Sequence, residues 1–540
     1  MNSVSQPGSG SSTTKVLIVG GSLVGLSAAV FLAWRGVPTV LLETHTGSHP
    51  HPRAVGYPPR TMELFRTVGL GPLIPQAPAG FRLLRCKVES LAGKWFDATE
   101  WTPETRDAPE KREAPAVEHS PHTGAAIAQD RLEPLLRDKA RELGADLRLG
   151  TELVRFEQDA NGVTAWTRDR GGRESIVRAA YMIAADGSRS AVRQALGIGR
   201  TGPGHLQTMR SVLFRADLEQ YLEKGISQFE IEQPDCKAFL TTYGDGRWVL
   251  MFMDDLERDE KTLLAEVHKA VGRTDLPIEI ITTGRWELSA LISDRFSEGR
   301  VFLAGDAAHT LPPTRGGFGA NTGIHDAHNL AWKLSAVLAG ASTHELLETY
   351  DAERRPVAWD RLRQTFARPD YARHAPGASD GAPILGEAAM ELGQLYRSTA
   401  VIGAGSELPS AASPEEWAGQ PGTRAPHVWV MREGERVSTL DLFERAWVLL
   451  CDGEPWVGAA TKVGAALSAR NGGTLTCVRN GVDVRGQTSD EVLLKAFGLR
   501  SGGASLIRPD GYIAWRSVGL PADPARALTE ALEQVSSAIR

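Results

Sequence analysis

The sequence predicts an α/β protein in three parts: a parallel-sheet domain at the N-terminus, an antiparallel sheet interleaved with it, and a separate α/β unit at the C-terminus. Three observations carry this. Lys15 to His45 reads strand, glycine turn, helix, strand; the pattern turns to alternating strands between about Thr201 and Arg295; and a new strand–helix alternation starts near Pro421. At 540 residues the chain is too long for one core.

Residues 1–14, MNSVSQPGSGSSTT, are rich in Ser, Thr and Gly and have neither a basic start nor an apolar run, so a disordered arm is expected, not a signal peptide. The next stretch is KVLIVGGSLVGLSAAVFLAWRGVPTVLLETH. Lys15 to Val19 is a short buried strand, Gly20 to Gly25 the turn, Leu26 to Arg35 a helix stopped by Gly36, and Val37 to Leu42 a second strand ending on Glu43. This is the βαβ dinucleotide fingerprint of a Rossmann-like domain. Gly20 permits the tight turn, Gly25 lets helix and strand approach, and the free amides at the helix start suit a pyrophosphate. Glu43 can accept hydrogen bonds from a ribose diol. Ser22 stands where GxGxxG has its second glycine, and is small enough for the same backbone approach.

His45, His49 and His51 follow in THTGSHPHPRAVG, but Pro50 and Pro52 break any regular face and no carboxylate joins them, so no metal is expected. Cys86, Cys236, Cys451 and Cys477 show no CxxC spacing, which fits a reducing cytoplasm. The net charge of -6, from 66 acidic and 60 basic residues without a basic block, gives no reason to expect nucleic acid or an anionic membrane. No apolar run approaches the roughly 18 residues of a membrane helix. A small-molecule partner is expected.

Two further segments end apolar runs on carboxylates. YMIAADGSRSAVRQALGI places Asp186-Gly187 after a strand and Ser190, Val192 and Arg193 at a helix start; FLAGDAAHTLPPTRGG does the same with Gly305-Asp306. Together with the fingerprint, and most specifically through GRVFLAGDAAH and NTGIHDAHNLAWKL, the chain from about Lys15 to Arg355 resembles the FAD-dependent aromatic hydroxylases of the p-hydroxybenzoate hydroxylase fold, in particular the aromatic polyketide hydroxylases.

That resemblance implies non-covalent FAD, with Gly20, Ser22, Gly25 and Glu43 at the adenosine and pyrophosphate end, Gln129 and Arg131 nearby, and Asp186 supporting the pyrophosphate. Asp306, after Gly305, would accept from the ribityl chain, because a buried acceptor without such a partner costs a few kcal/mol. Pro313, Gly317 and Gly319 would let backbone pass close to the flavin, and a helix from about Asn321 would point its amides at the pyrimidine oxygens. Arg53 is an anion or flavin contact. The loop from His309 to Asn321 looks one residue longer than the family's, with Arg315 either a solvated insertion or a cation near substrate or nicotinamide.

The implied organisation is a FAD-binding domain from 15–200 and 296–420, with 80–120 contributing to the substrate site; a substrate-binding sheet at 201–295; and a thioredoxin-like C-terminal domain at 421–540. KAFLTTYGDGRWVLMFMDD alternates about Gly244-Asp245-Gly246 as a hairpin, and Phe229, Tyr243, Trp248, Met251 and Met253 offer apolar area either to a flat polycyclic ligand or to the sheet core. Cys451 has no nearby partner, so thioredoxin's dithiol chemistry is not expected. AVIGAGSE lacks a third glycine and a periodic helix, and is not a second dinucleotide turn.

The function implied is a monooxygenase that uses FAD, transient NADPH or NADH, and O2 to hydroxylate a polycyclic aromatic, polyketide-type substrate through a flavin C4a-hydroperoxide, as a monomer or homodimer. Alternatives are oxidative rearrangement of a polyketide quinone, by Baeyer–Villiger insertion or ring opening, and a non-catalytic flavoprotein escort. His309, Arg315 and Tyr243 are candidate bases, and none is singled out.

Overall fold

The computed structural model describes residues 10–78, 84–100, 118–313, 318–471 and 473–537. The chain opens with β1 (Gly10–Val19), α1 (Leu23–Trp34), β2 (Thr39–Glu43) and α2 (Pro59–Thr67), then β3 (Leu84–Val88), β4 (Trp95–Glu100), α3 (Gln129–Glu142) and β5 (Asp146–Leu149). β6 (Thr151–Gln158), β7 (Val163–Asp169) and β8 (Glu174–Ala184) lead to β9 (Arg200–Arg215), β10 (Gln228–Gln233), β11 (Cys236–Thr242), β12 (Arg247–Phe252), α4 (Glu260–Val271) and β13 (Glu279–Ser293). β14 (Val301–Leu303), α5 (Phe318–Leu338) and α6 (Glu345–Ala367) complete the first two parts.

The first sheet has the parallel order β14-β8-β1-β2-β5, with β7 and β6 added antiparallel beside β8. The chain thus starts in mid-sheet, and ligands of such sheets sit beyond the strand ends where the order reverses. Helix α1, LVGLSAAVFLAW, is apolar on every side because it lies between the sheet and α5. It starts three residues earlier than the sequence suggests.

The expected arm ends sooner than residue 14. Gly10 to Thr14 extend β1, paired in register from Gly10↔Ser175 to Thr14↔Ala179. The composition is polar, but Thr13 and Thr14 are β-branched and β8 is long enough to offer them a backbone partner. Residues 1–9 lie outside the described residues.

The second sheet runs His309–Thr310, β13, β9, β12, β11, β10, β3, β4, antiparallel except for β10 with β3. Residues 84–100 therefore belong to this sheet and not to the FAD-binding part; 79–83 and 101–117 lie outside the described residues. One face packs on α4, whose start is capped by Asp259 accepting from the Thr262 amide at 2.8 Å and whose end is Gly272 at φ 79°. The other face looks toward the loops of the first sheet.

The C-terminal part is a mixed four-stranded, thioredoxin-like sheet: β15 (Trp447–Cys451), followed by α7 (Pro455–Asn471), β16 (Leu475–Arg479), β17 (Ala504–Ile507), β18 (Ile513–Ser517) and α8 (Pro524–Val535), in the order β16-β15-β17-β18. α7 and α8 cover one face, where Trp332 of α5 also meets Trp447 edge-on at 6.0 Å. The parallel pairing of β15 with β16 places the Cys451 and Cys477 sulfurs 3.6 Å apart, so the expectation that Cys451 stands alone is corrected. Residues 26 apart become neighbours only through the crossover. Among the described residues no helix is long and apolar enough to cross a membrane.

Candidate functional site

Register brings the three motifs together. Val19 of β1 lies beside Ala184 of β8, and Ala184 beside Leu303 of β14, so Gly20, Asp186 and Gly305-Asp306 leave the sheet at one edge. Gly20 has φ 104°, and a Cβ there would stand 2.2 Å from the Ala185 carbonyl oxygen. A Cβ on Gly25 would lie 1.8 Å from the Gly20 carbonyl oxygen. Both glycines are therefore fixed by space.

Ser22 is the N-cap of α1, yet its hydroxyl makes no capping bond. It donates to Glu133 Oε1 at 2.9 Å and accepts from Gln129 Nε2 at 2.9 Å, leaving the first amides of α1 open to an anion. Gln129 also donates to Glu133 at 2.8 Å, and its Oε1 accepts from the Arg53 and Ala54 amides at 3.3 Å. Glu133, buried on α3, was not anticipated; its signal is the spacing of four residues from Gln129, visible only once Gln129 is placed. Arg131 points elsewhere, 3.8 Å from Asp245 and largely exposed.

Glu43 ends β2 beside this turn. Oε2 accepts from the Gly21 amide at 2.7 Å, and Oε1 from the His45 amide and ring at 2.7 Å each. Burial opposes its ionisation, but these bonds hold the carboxyl below its usual range. Of the three histidines, His45 serves Glu43 and His49 meets the His51 backbone; among the described residues there is no group of three His, Cys, Asp or Glu placed to hold an ion.

At Asp186, Oδ2 accepts from the Val192 amide at 3.1 Å while Oδ1 is buried without a partner. Arg193 ties this loop to the third by donating to the Ala307 carbonyl at 3.1 Å. Asp306 has an exposed side chain in a crevice walled by protein and makes no hydrogen bond among the described residues. The surrounding mass pushes its carboxyl above the ordinary value, against the pull of His309 and Arg53. An orphaned Asp186 oxygen and a partnerless Asp306 carboxylate call for hydroxyl donors, and the uncapped amides of α1 call for a phosphate, so this sheet edge fits a cofactor that carries both, such as FAD.

The segment after Asp306 is anchored behind. Gly305 has φ 59°, its amide donates to Asp326 Oδ2 at 3.2 Å, and Asp326 also accepts from His309 Nε2 at 2.7 Å and Arg354 Nε at 2.8 Å. His309 is fully buried in this network and cannot reach a substrate as a base. Helix α5 is already formed at Phe318, three residues before the expected Asn321. Asn321 instead uses its side chain within the protein, donating to the Gly56 carbonyl at 3.0 Å and accepting from Thr61 at 2.8 Å. Gly319 faces Asp306, where a Cβ would lie 3.9 Å from Oδ1. The Pro313 carbonyl accepts from Tyr371 at 2.6 Å. Arg315 and Gly317 lie outside the described residues.

On the second sheet, Phe229 and Trp248 turn to the α4 side, 0% and 1% exposed, with ring centroids 6.4 Å apart. They are core, not ligand contacts. Met253 lies past the end of β12 and is exposed, and Tyr243 donates to the Pro52 carbonyl at 2.7 Å, with burial pushing its hydroxyl well up. Met251 does face the first domain, in the row Phe239–Met251–Ser211–Gly284.

That row reveals residues the sequence did not single out. The missing side chain of Gly284 admits His51, whose Nε2 lies 2.9 Å from Ser211 Oγ; the Trp286 indole donates to the same oxygen at 2.6 Å. Ser211 therefore donates to His51, whose ring is neutral because burial, reinforced by His49 and Arg53, lowers its pKa to about 4. The clamp ends at Arg53, whose guanidinium lies 5.6 Å over the Trp286 ring. A cavity of about 340 Å³ in the C-terminal part, lined by Asp452, Glu454, Arg479 and Asn480 among others, includes none of the motif residues.

Comparison with known proteins agrees with this geometry. Residues 13–365 match the FAD binding domain family, and residues 418–538 match the aromatic-ring hydroxylase C-terminal family. The chain is 40% identical to tetracenomycin A2 monooxygenase-dioxygenase of Streptomyces glaucescens, covering 96% of each, and 39% identical to 4-methyl-5-nitrocatechol 5-monooxygenase of a Burkholderia species, covering 96% of this chain and 97% of the other. Among solved structures it is similar to aklavinone-11 hydroxylase in a ternary complex with FAD and aklavinone, with a TM-score of 0.84, 35% identity and coverage of 97% of this chain and 99% of that one.

Proposed function

The chain belongs to the FAD-dependent aromatic-ring hydroxylases, and we propose that it hydroxylates a polycyclic phenol of polyketide type with NADPH or NADH as reductant and O2 as oxidant. The observation that carries the reading is the shared edge of the first sheet where Gly20, Asp186 and Asp306 meet. The relatives named for tetracenomycin and aklavinone support the size of the substrate.

Bound FAD supplies the redox and oxygen chemistry. The residues of this chain would bind and orient it: Glu43 would hold the ribose, the open amides of α1 the pyrophosphate with Asp186 nearby, Asp306 the ribityl hydroxyls, and the start of α5 the ring. The second sheet would cover the ring and exclude water, and Arg53, held over Trp286, would supply a cation at the crevice. Of the candidate bases, His309 is buried on Asp326 and Tyr243 is committed to Pro52. The acidity of the substrate phenol, helped by Arg53, takes that role.

Incubation with polycyclic phenols, polycyclic quinones and a nitrocatechol, with NADH or NADPH, tests this by product mass. A gain of one oxygen on a polycyclic phenol is expected, and oxidation of the single-ring substrate alone overturns the substrate class. The relative called a monooxygenase-dioxygenase favours a second reading, in which the same site adds more than one oxygen atom to the polycyclic substrate; a product mass gain of two or more oxygens would mark it.

A further inference from the structure

The C-terminal part reaches the flavin-facing segments through two buried charge networks. In the first, Arg424 donates to Glu63 Oε2 at 2.8 Å and to Oε1 at 2.5 Å. Arg60 donates to Glu63 at 2.9 Å and to the Asp510 carbonyl at 3.3 Å. Between Arg60 and Glu63 on α2 stands Thr61, whose hydroxyl holds Asn321 in the first turns of α5. The second network is built on the turn between β17 and β18. Arg508 donates to Glu353 at 2.6 and 3.0 Å and to Asp510, while Asp510 accepts from Trp332 of α5 at 3.0 Å. Glu353 also accepts from Lys333 at 2.8 Å. The next residue, Arg354, holds Asp326, which in turn holds the Gly305 amide and His309.

Both routes are one residue long at their narrowest: Thr61 between Arg60 and Glu63, and the peptide bond between Glu353 and Arg354. They end on two adjoining segments, the first at the start of α5 and the second at the Gly305–Ala307 turn. All the charged members are buried, so solvent screens them little.

We propose that the C-terminal domain is a brace for the flavin-facing turns, with Arg424 and Arg508 as positioning residues that act on the site through α2 and α6 and never touch FAD or substrate. The coupling part of the argument rests on the proposed turnover; the part about order in the turns does not. Among the described cations, Glu63 without Arg424 keeps only Arg60, and Glu353 without Arg508 keeps only Lys333, so each buried carboxylate loses half its cationic partners and α2 or α6 shifts to make up the loss.

The test uses Arg424→Gln and Arg508→Gln in the full chain. Folding is followed by circular dichroism, FAD affinity by fluorescence quenching, and amide exchange by mass spectrometry over residues 305–310 and 318–325, with and without FAD. About tenfold weaker FAD binding and faster exchange in those two segments are expected while the fold is kept, and peroxide formed per NAD(P)H should rise. Folded variants with wild-type exchange there and wild-type FAD affinity overturn the proposal. Where a variant fails to fold, native-state exchange of the wild-type holoprotein in rising urea decides. Residues 504–517 and 318–325 should lose protection in one step, and loss in 504–517 with 318–325 still protected overturns the brace. If no substrate is oxidised, the exchange and affinity results still judge the brace while the substrate reading fails alone.

Discussion

Glu43 uses both carboxylate oxygens, one on the Gly21 amide and one on His45, so it shapes the turn as well as offering charge to a ribose. Glu43→Ala should weaken FAD binding by about 1.5 to 3 kcal/mol, or roughly 10- to 150-fold, as measured by fluorescence titration. Unchanged affinity would remove the ribose assignment. Glu43 was readable because its signal is local: a strand end a fixed distance after a glycine turn. Gly323 was not. A Cβ there would lie 2.5 Å from Val24 Cγ2 and 2.8 Å from the Gly305 Cα, where α5 crosses α1 behind the Asp306 turn. Gly323→Ala should cost about 1 to 3 kcal/mol of stability through overpacking and should weaken FAD binding too, since Gly305 is one of the atoms displaced. Thermal unfolding with and without FAD separates the two losses; equal shifts in both would mean that the Asp306 turn does not move. Nothing in NTGIHDAHNLAWKL marks that glycine, because Val24 and Gly305 lie in other segments of the chain and meet it only where the helices cross.

Strands of the second sheet were legible as strands, and their alternation was legible too, but not which face turns toward the ligand, since both faces are apolar. Phe229 and Trp248 share parity with Val212, Phe214 and Leu250 in the cluster under α4, while Met251 falls on the opposite side with Ser211. The two faces predict opposite phenotypes. Phe229→Ala should cost about 3 to 5 kcal/mol of stability by opening a core cavity, with substrate affinity kept in the folded fraction. Met251→Ala, at a half-buried position, should raise KM with a smaller loss of stability. Denaturant midpoints beside steady-state KM check both, and a KM defect in Phe229→Ala without loss of stability would reverse the assignment of faces. The parallel pair β15 and β16 teaches the same lesson. Cys451 and Cys477 look isolated along the chain and meet only through the crossover that α7 makes. A Cys451→Ala, Cys477→Ala double variant should keep hydroxylation coupled, because the pair lies in the cluster under α7 and α8 and not among the motif residues. Peroxide yield per NAD(P)H is the measurement, and a rise in the folded double variant would give the thiols a part in turnover.

Across the whole molecule the pairs that join its parts lie far apart in the chain, Glu63 and Arg424 by 361 residues and Glu353 and Arg508 by 155, and no local pattern announces them. Each looks in sequence like an ordinary surface charge on a helix or loop. Burial opposes ionisation of Glu63, yet Arg424 first and Arg60 second hold its carboxyl down at about 2, from an ordinary 4.5. Between those two values the unfolded chain binds a proton that the native state refuses, so this contribution to stability is complete above about 4.5 and is lost as pH falls through about 2. Glu353 is lowered further by Arg508 and Lys333 and moves the same way. Arg424→Gln removes the larger of the two attractions on Glu63 and lets its carboxyl rise, so the variant has less to lose on acidification. The stability gap between wild type and Arg424→Gln should therefore be full at pH 7, persist to about pH 5, and narrow steadily below that. Urea midpoints at pH 7, 5, 4 and 3 measure it, and added salt should leave the gap nearly unchanged because the pair is buried. A gap that stays constant down to pH 3 would mean that Arg424 acts by packing alone and that its charge does not hold the C-terminal part against α2.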